Sequence, residues 1–152
     1  MRRLEYFAIC KSVSLDAMTG EISLFHVTHH VNIPIFPTRI PSLCAVASWI
    51  DNDRLADPSN SVEASESHIK LNVISPGGAP VNTFRRTLRS PNRMDQSVFR
   101  VVNIPITSEG ELVVELVVDD STVAHHTVLI TQKGPHNKML DVRTGNELNT
   151  NG

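Results

Sequence analysis

The sequence predicts an all-β protein, a two-layer antiparallel β-sandwich of seven or eight strands. Three observations carry this expectation. Short β-branched runs recur along the chain; Gly, Pro, Asn and Asp clusters separate them at nearly regular spacing; and no apolar stripe of helical period persists for three turns. At 152 residues the chain suits one domain, and a chain of this size buries roughly two thirds of the surface its unfolded form exposes. It therefore needs no disulfide or metal to fold.

Taken in order, "LEYFAICKSVSL" and "EISLFHVTHHVNI" read as the first two strands, joined by "DAMTG", whose Gly20 can supply the positive φ a hairpin turn often requires. "PIFPTRIP" then sets prolines at 34, 37 and 41, where missing amide donors and fixed φ disfavour a regular ladder and suggest a crossing between sheets or an edge connection. In "SLCAVASWI" one face carries Leu43, Ala45, Ala47 and Trp49 and the other Cys44, Val46, Ser48 and Ile50. Both faces are largely apolar, which places this strand centrally under cover on each side. The polar stretch "DNDRLADPSNSVEASES" is the longest loop expected within the domain.

"HIKLNVIS" alternates Ile69, Leu71 and Val73 inward with His68, Lys70 and Asn72 outward. "PGGAP" turns the chain into "VNTFRRTLRS", a weaker strand interrupted by Arg85 and Arg86, and "PNRMDQ" turns it again into "SVFRVVNIPI". After "TSEGE", the stretch "LVVELVVDDSTVAHHTVLITQ" holds two strands around the tight turn "DDS". From Lys133 the pattern is lost, so the expected organisation is a sandwich domain over 1–132 and a flexible polar tail over 133–152. Immunoglobulin-like and jelly-roll-like arrangements both fit, with a closed barrel as the alternative; periodicity does not fix strand order.

Composition narrows the function classes. Net charge is −2, from 14 basic and 16 acidic side chains, so no global field recruits nucleic acid or an anionic membrane. One Trp and one Tyr offer no base-stacking platform. No apolar run approaches the roughly 20 residues that span a bilayer. Glu5 and Lys11 leave only "YFAIC" between charges near the start, too short for a secretory apolar core. Cys10 and Cys44 sit in apolar stretches without CxxC spacing and read as buried free thiols in a cytoplasmic protein.

The segments "YFAIC", "GEISLF" and "NIPIFPTRIPSLC" resemble the opening of a family of short, uncharacterised bacterial proteins classed as a domain of unknown function. The matching residues are Tyr6, Cys10, Gly20, Ser23, Leu24, Pro34, Phe36, Pro37, Pro41, Leu43 and Cys44, about the first third of the chain. The resemblance implies a small β-sandwich and brings no catalytic motif. His26, His29 and His30 fall where that pattern has other residue types.

Three constellations are candidates for chemistry. Neighbouring side chains on a strand alternate, so at most one each of His29/His30 and His125/His126 can face a shared site; His26, His30 and His126 form the possible metal set, with zinc as its ion. Simple up-and-down strands would gather Asp16, Asp51, Asp53, Asp57, Asp95, Asp119 and Asp120 at one end, with Asp51, Asp53, Asp119 and Asp120 the centre of a calcium site. Turn chemistry alone also explains these aspartates. The cluster Arg85, Arg86, Arg89 and Arg93 could meet phosphate or an acidic partner, or simply guard an edge strand.

No GxSxG elbow or phosphate-cradling loop appears, and "SPGGAP" lacks the Lys and the helix that such a loop requires. The expected function is a non-enzymatic interaction or structural module that recognises a protein or a second copy of itself, as in a homodimer, through strand edges or a partly apolar face such as that of "LVVELVV". No cofactor is expected in that reading. The alternative is a metal-binding protein or metal-dependent hydrolase built on the His-bearing strands.

Overall fold

The computed structural model of the protein describes residues 2–52, 66–89 and 94–133, and these form nine strands. They are β1 (Arg2–Leu15), β2 (Ile22–Val27), β3 (His30–Ile33), β4 (Thr38–Asp51), β5 (Glu66–Ile74), β6 (Pro80–Arg89), β7 (Met94–Ile106), β8 (Gly110–Val118) and β9 (Ser121–Gln132). One sheet has the order β2-β1-β4-β7 and the other β3-β9-β8-β5-β6, a two-layer β-sandwich with open sheets. β9 ends at Gln132; the tail expected from Lys133 onward lies, from residue 134, outside the described residues, as does most of the long polar loop.

The ninth strand arises because the second expected strand is two. His26 adopts a left-handed φ of 55°, the chain breaks at Thr28 and His29, and His30–Ile33 resumes in the opposite sheet. There β3 lies parallel to β9, the one departure from an antiparallel arrangement among the described pairs. Thr28 anchors the crossing: its N–H donates to the Ile9 carbonyl at 2.8 Å and its hydroxyl to the His26 carbonyl at 2.8 Å. The proline-rich segment then returns the chain to the first sheet, through a cis Phe36–Pro37 bond. Pro41 nevertheless lies inside β4. The ladder to β7 runs from Ile40 opposite Ile104 to Ser42 opposite Val102, and the intervening Asn103 takes a φ of 53° that spares the proline a partner.

β4 is central, flanked by β1 and β7, and both its faces are covered as its composition requires. Leu43, Ala45, Ala47 and Trp49 join the main core with Ile69, Leu71, Val73, Leu112, Leu116, Val128 and Ile130 from the second sheet. Cys44 and Val46 face the other way and join Cys10 in a second, smaller cluster, against which Val13, Ile22, Leu24 and Val98 pack. The β1–β2 hairpin therefore forms an arm laid over the outer face of its own sheet. At the arm's tip Gly20, with a φ of 73°, completes a turn closed by the Gly20 N–H bond to the Asp16 carbonyl.

In β5 the alternation holds as expected, with Ile69, Leu71 and Val73 buried. In β8, Leu112, Val114 and Leu116 point into the core, while on the other parity Val117 is buried and Val113 half-buried beside Glu115. The outer face of "LVVELVV" is therefore mixed, with Glu115 between the half-buried Val113 and the buried Val117. The "DDS" turn is a two-residue connection in which Asp119 and Asp120 both have positive φ, 46° and 64°, as a type I′ hairpin demands.

Candidate interaction surface

The two His pairs do meet, through members whose pairing the alternation rule left open. His29 lies in the break between β2 and β3, and its ring stacks on that of His126 with centroids 4.9 Å apart and an interplanar angle of 21°. His126 Nε2 donates to the Thr28 carbonyl at 2.9 Å, which fixes the ring beneath the crossing. His30 instead points to the outer face, where its Nε2 meets Thr131 Oγ1 at 2.6 Å and Thr131 donates in turn to Asn32 Oδ1. His26, His30 and His126 therefore have separate surroundings. Among the described residues no group of three or more His, Cys, Asp or Glu side chains is placed to hold a metal ion.

The aspartates divide. Asp16 lies at the arm's tip, where its Oδ1 accepts the backbone N–H groups of Met18 and Thr19 at 2.8 and 2.9 Å. Those bonds hold its carboxyl below the usual range. Asp51 is buried at the end of β4 opposite Arg2. Arg2 donates to the Leu88 carbonyl on β6, tying that end of the first sheet to the end of the second where Asp119 and Asp120 turn. Asp119 is occupied with its neighbour strand: its Oδ1 accepts the His68 N–H at 2.9 Å and its own N–H donates to the His68 carbonyl. Asp95 Oδ1 accepts the Gln96 N–H. Asp53 and Asp57 lie outside the described residues.

The arginines divide as well. Arg85 projects from the outer face of β6 opposite Lys70, whereas Arg86 turns toward the first sheet and lies over the Phe99 ring, 5.2 Å from its centroid. Arg93 is outside the described residues, and Arg89 ends β6.

Four of the nine exposed large apolar side chains among the described residues lie on the arm, the others being Ile35, Met94, Val102, Val123 and Leu129. Leu15 is 65% exposed, Met18 93%, Phe25 47% and Val27 48%. Beneath the arm runs a groove of about 1030 Å³, walled by Val13, Leu15 and Ile22 on one side and by Met94, Val98 and Arg100 on the other, with Cys44 in its floor. Cys10 and Cys44 are free and buried side by side in the register. Burial, reinforced by the neighbouring Cys44, pushes the Cys10 thiol up. The thiols serve here as small apolar side chains. No sequence signal marks the arm as separate from the sandwich except the double-sided apolar pattern of β4, which implied a second cover without naming it.

The fold defines a β-sandwich with two sheets of four and five strands. No family model and no curated protein matches the chain. Among solved structures, it is similar to part of a β-glucosidase from Listeria innocua, determined with isofagomine, at 10% identity and a TM-score of 0.42, covering 84% of this chain and 16% of that one. It is also similar to an immunoglobulin-like protein from Pseudomonas aeruginosa, at 12% identity and a TM-score of 0.40, covering 86% of this chain and 97% of that one. At these TM-scores neither lends this chain a family or an activity. No described helix is long and apolar enough to cross a membrane.

Proposed function

We propose that this chain is a non-enzymatic interaction module of the cytoplasm whose β1–β2 arm joins two copies of itself edge to edge. The observation that carries the reading is the character of β2. A sheet edge offers unpaired backbone groups to any extended segment, and proteins blunt it with charge, proline, brevity or bulges. Three of the four edges have such devices: β3 has four residues, β6 bears Pro80, Arg85 and Arg86, and β7 bears Asp95, Arg100, Pro105 and the left-handed Asn103. β2, Ile22–Val27, has no Lys, Arg, Asp, Glu or Pro, and its outward face shows Phe25 and Val27 to solvent. Only His26, with its left-handed φ, interrupts it near the end.

Such an edge takes an extended, uncharged, apolar segment, and β2 itself is one. Antiparallel pairing about a two-fold axis sets each β2 against its own counterpart with no like charges opposed, a self-complementary arrangement of the closed kind. Phe25 and Val27 would then be covered, and the arm's Leu15 and Met18 brought near the second copy. A six-residue edge is small by the standard of interfaces that bury more than ~1,000 Å², so the association should be weak and concentration-dependent.

Sedimentation equilibrium across a concentration series tests this. The wild-type mass should rise toward that of two chains, and Phe25→Lys, a surface change that places a charge on the edge, should hold it at one chain with an unchanged melting curve. A wild type that stays monomeric at every concentration ends the self-association reading and leaves the edge to a different protein. A dimer indifferent to Phe25→Lys removes β2 from the interface.

A further inference from the structure

A second surface carries an independent inference, on the outer face of the five-stranded sheet. There a groove of about 680 Å³ is lined by His68, Lys70, Arg85, Arg86 and Thr87 from β5 and β6 and by Asp119 and Asp120 from the β8–β9 turn. Lys70 and Arg85 are direct cross-strand partners in the register. Like charges so placed destabilise a sheet, and neither side chain has an ion-pair or hydrogen-bond partner among the described residues. Arg86, the next residue of β6, turns its side chain the other way, onto Phe99. Val117, buried and opposite Lys70 in the register, gives the groove an apolar floor that keeps the charges from being fully surrounded by water.

Edge protection explains Arg85 and Arg86, since β6 is an edge strand. It does not explain Lys70. β5 is interior, paired with β6 on one side and β8 on the other, so a cation there guards no edge and stands opposite Arg85. An uncompensated pair of this kind is favourable once an anion sits between the two groups.

We infer that this groove binds a small molecule carrying a phosphate-type oxyanion, held between Lys70 and Arg85. The Arg85 guanidinium presents paired donors that match two oxygens of such an anion, and the Lys70 ammonium adds a point charge. The volume falls in the ~300–1,000 Å³ range of small-molecule sites. At the far end Asp120 and the second oxygen of Asp119 can accept hydrogen bonds from hydroxyl groups of the same molecule. Those carboxylates also repel a long polyanion running along the groove, which favours a single phosphorylated molecule over a nucleic acid chain.

Two readouts on the full chain test this. In the first, amide resonances are followed while inorganic phosphate is added, and separately a sugar phosphate, each against sodium chloride at matched ionic strength. Phosphate should shift Lys70 and Arg85 where chloride does not, and the sugar phosphate should bind several-fold more tightly, an advantage that Asp120→Asn abolishes. Equal affinity for the two probes overturns the role given to the carboxylates, and equal shifts with chloride overturn the site. In the second, Lys70→Gln should raise the melting temperature without phosphate, by relieving the repulsion, and should lose the stabilisation that phosphate gives the wild type. A Lys70→Gln protein that melts lower in both conditions would show that Lys70 serves the sheet and not a ligand.

Discussion

The apolar side chains form two clusters of unequal size, and β4 supplies both. Leu43, Ala45, Ala47 and Trp49 enter the large cluster between the sheets, which draws buried residues from β1, β3 and every strand from β4 to β9. Cys44 and Val46 enter the small one, whose buried members are these two and Cys10, roofed by the half-buried Val13, Ile22 and Leu24 of the arm. The large cluster lies between the two sheets; the small one lies on the outer face of the first and opens into a groove at its margin. The difference teaches that the sandwich and the arm have separate sources of stability. The arm rests on few contacts, and low-stability elements of this kind are where binding surfaces are drawn from.

The comparison breaks first at the large cluster. Leu116 is fully buried in β8, and Leu116→Ala should cost about 2–5 kcal/mol, the usual range for a large-to-small core change. Its effect should be global: denaturant melts should shift while amide exchange in β4 and in β5 accelerates in parallel. If exchange quickened only near β8, the two sheets would not share one cooperative core.

Val46→Ala removes two methyl groups from the small cluster and should cost about 1.5 kcal/mol at ~0.8 kcal/mol per group. Here the effect should be local. β2 amides such as Ser23 and Phe25 should exchange faster, while those of β8 keep the rate set by global unfolding. Equal acceleration in β2 and β8 would show that the arm and the sandwich unfold as one unit.

How far the sequence foretells this arrangement varies from element to element. Ile69, Leu71 and Val73 could be placed inward from alternation alone, because a strand with one wet face must alternate. β4 showed two apolar faces, and that was enough to require cover on both sides, but the covering piece was not legible: the arm is a hairpin whose own residues look like any pair of strands. The split of the second strand at His26 left no mark, since a left-handed backbone at one residue depends on the tertiary bonds of Thr28 and His126. With that split, the parity argument for His29 and His30 lost its footing, because they no longer share one extended strand. The opposition of Lys70 and Arg85 was hidden for a related reason: register is fixed by the Pro76–Ala79 turn and by pairing with β8, not by either strand alone.

The smallest expected effect belongs to the arm's tip. Asp16 caps its own turn by accepting the Thr19 and Met18 amides, and those bonds favour the charged carboxylate. Its pKa in the folded protein is therefore below the unfolded value of about 3.9. The sign follows from linkage: the stabilisation is present above that unfolded value and is lost as pH falls through the folded one. Asp16→Ala should open the turn at neutral pH, with faster exchange at Met18 and Thr19, and the gap between variant and wild type should close in acid as the wild-type carboxyl protonates. Because the group is fully solvated, the change should stay within the arm and leave β8 amides untouched. Equal exchange in variant and wild type at neutral pH would mean that the turn is held by Gly20 and the Asp16 carbonyl, and that the carboxylate contributes nothing to it.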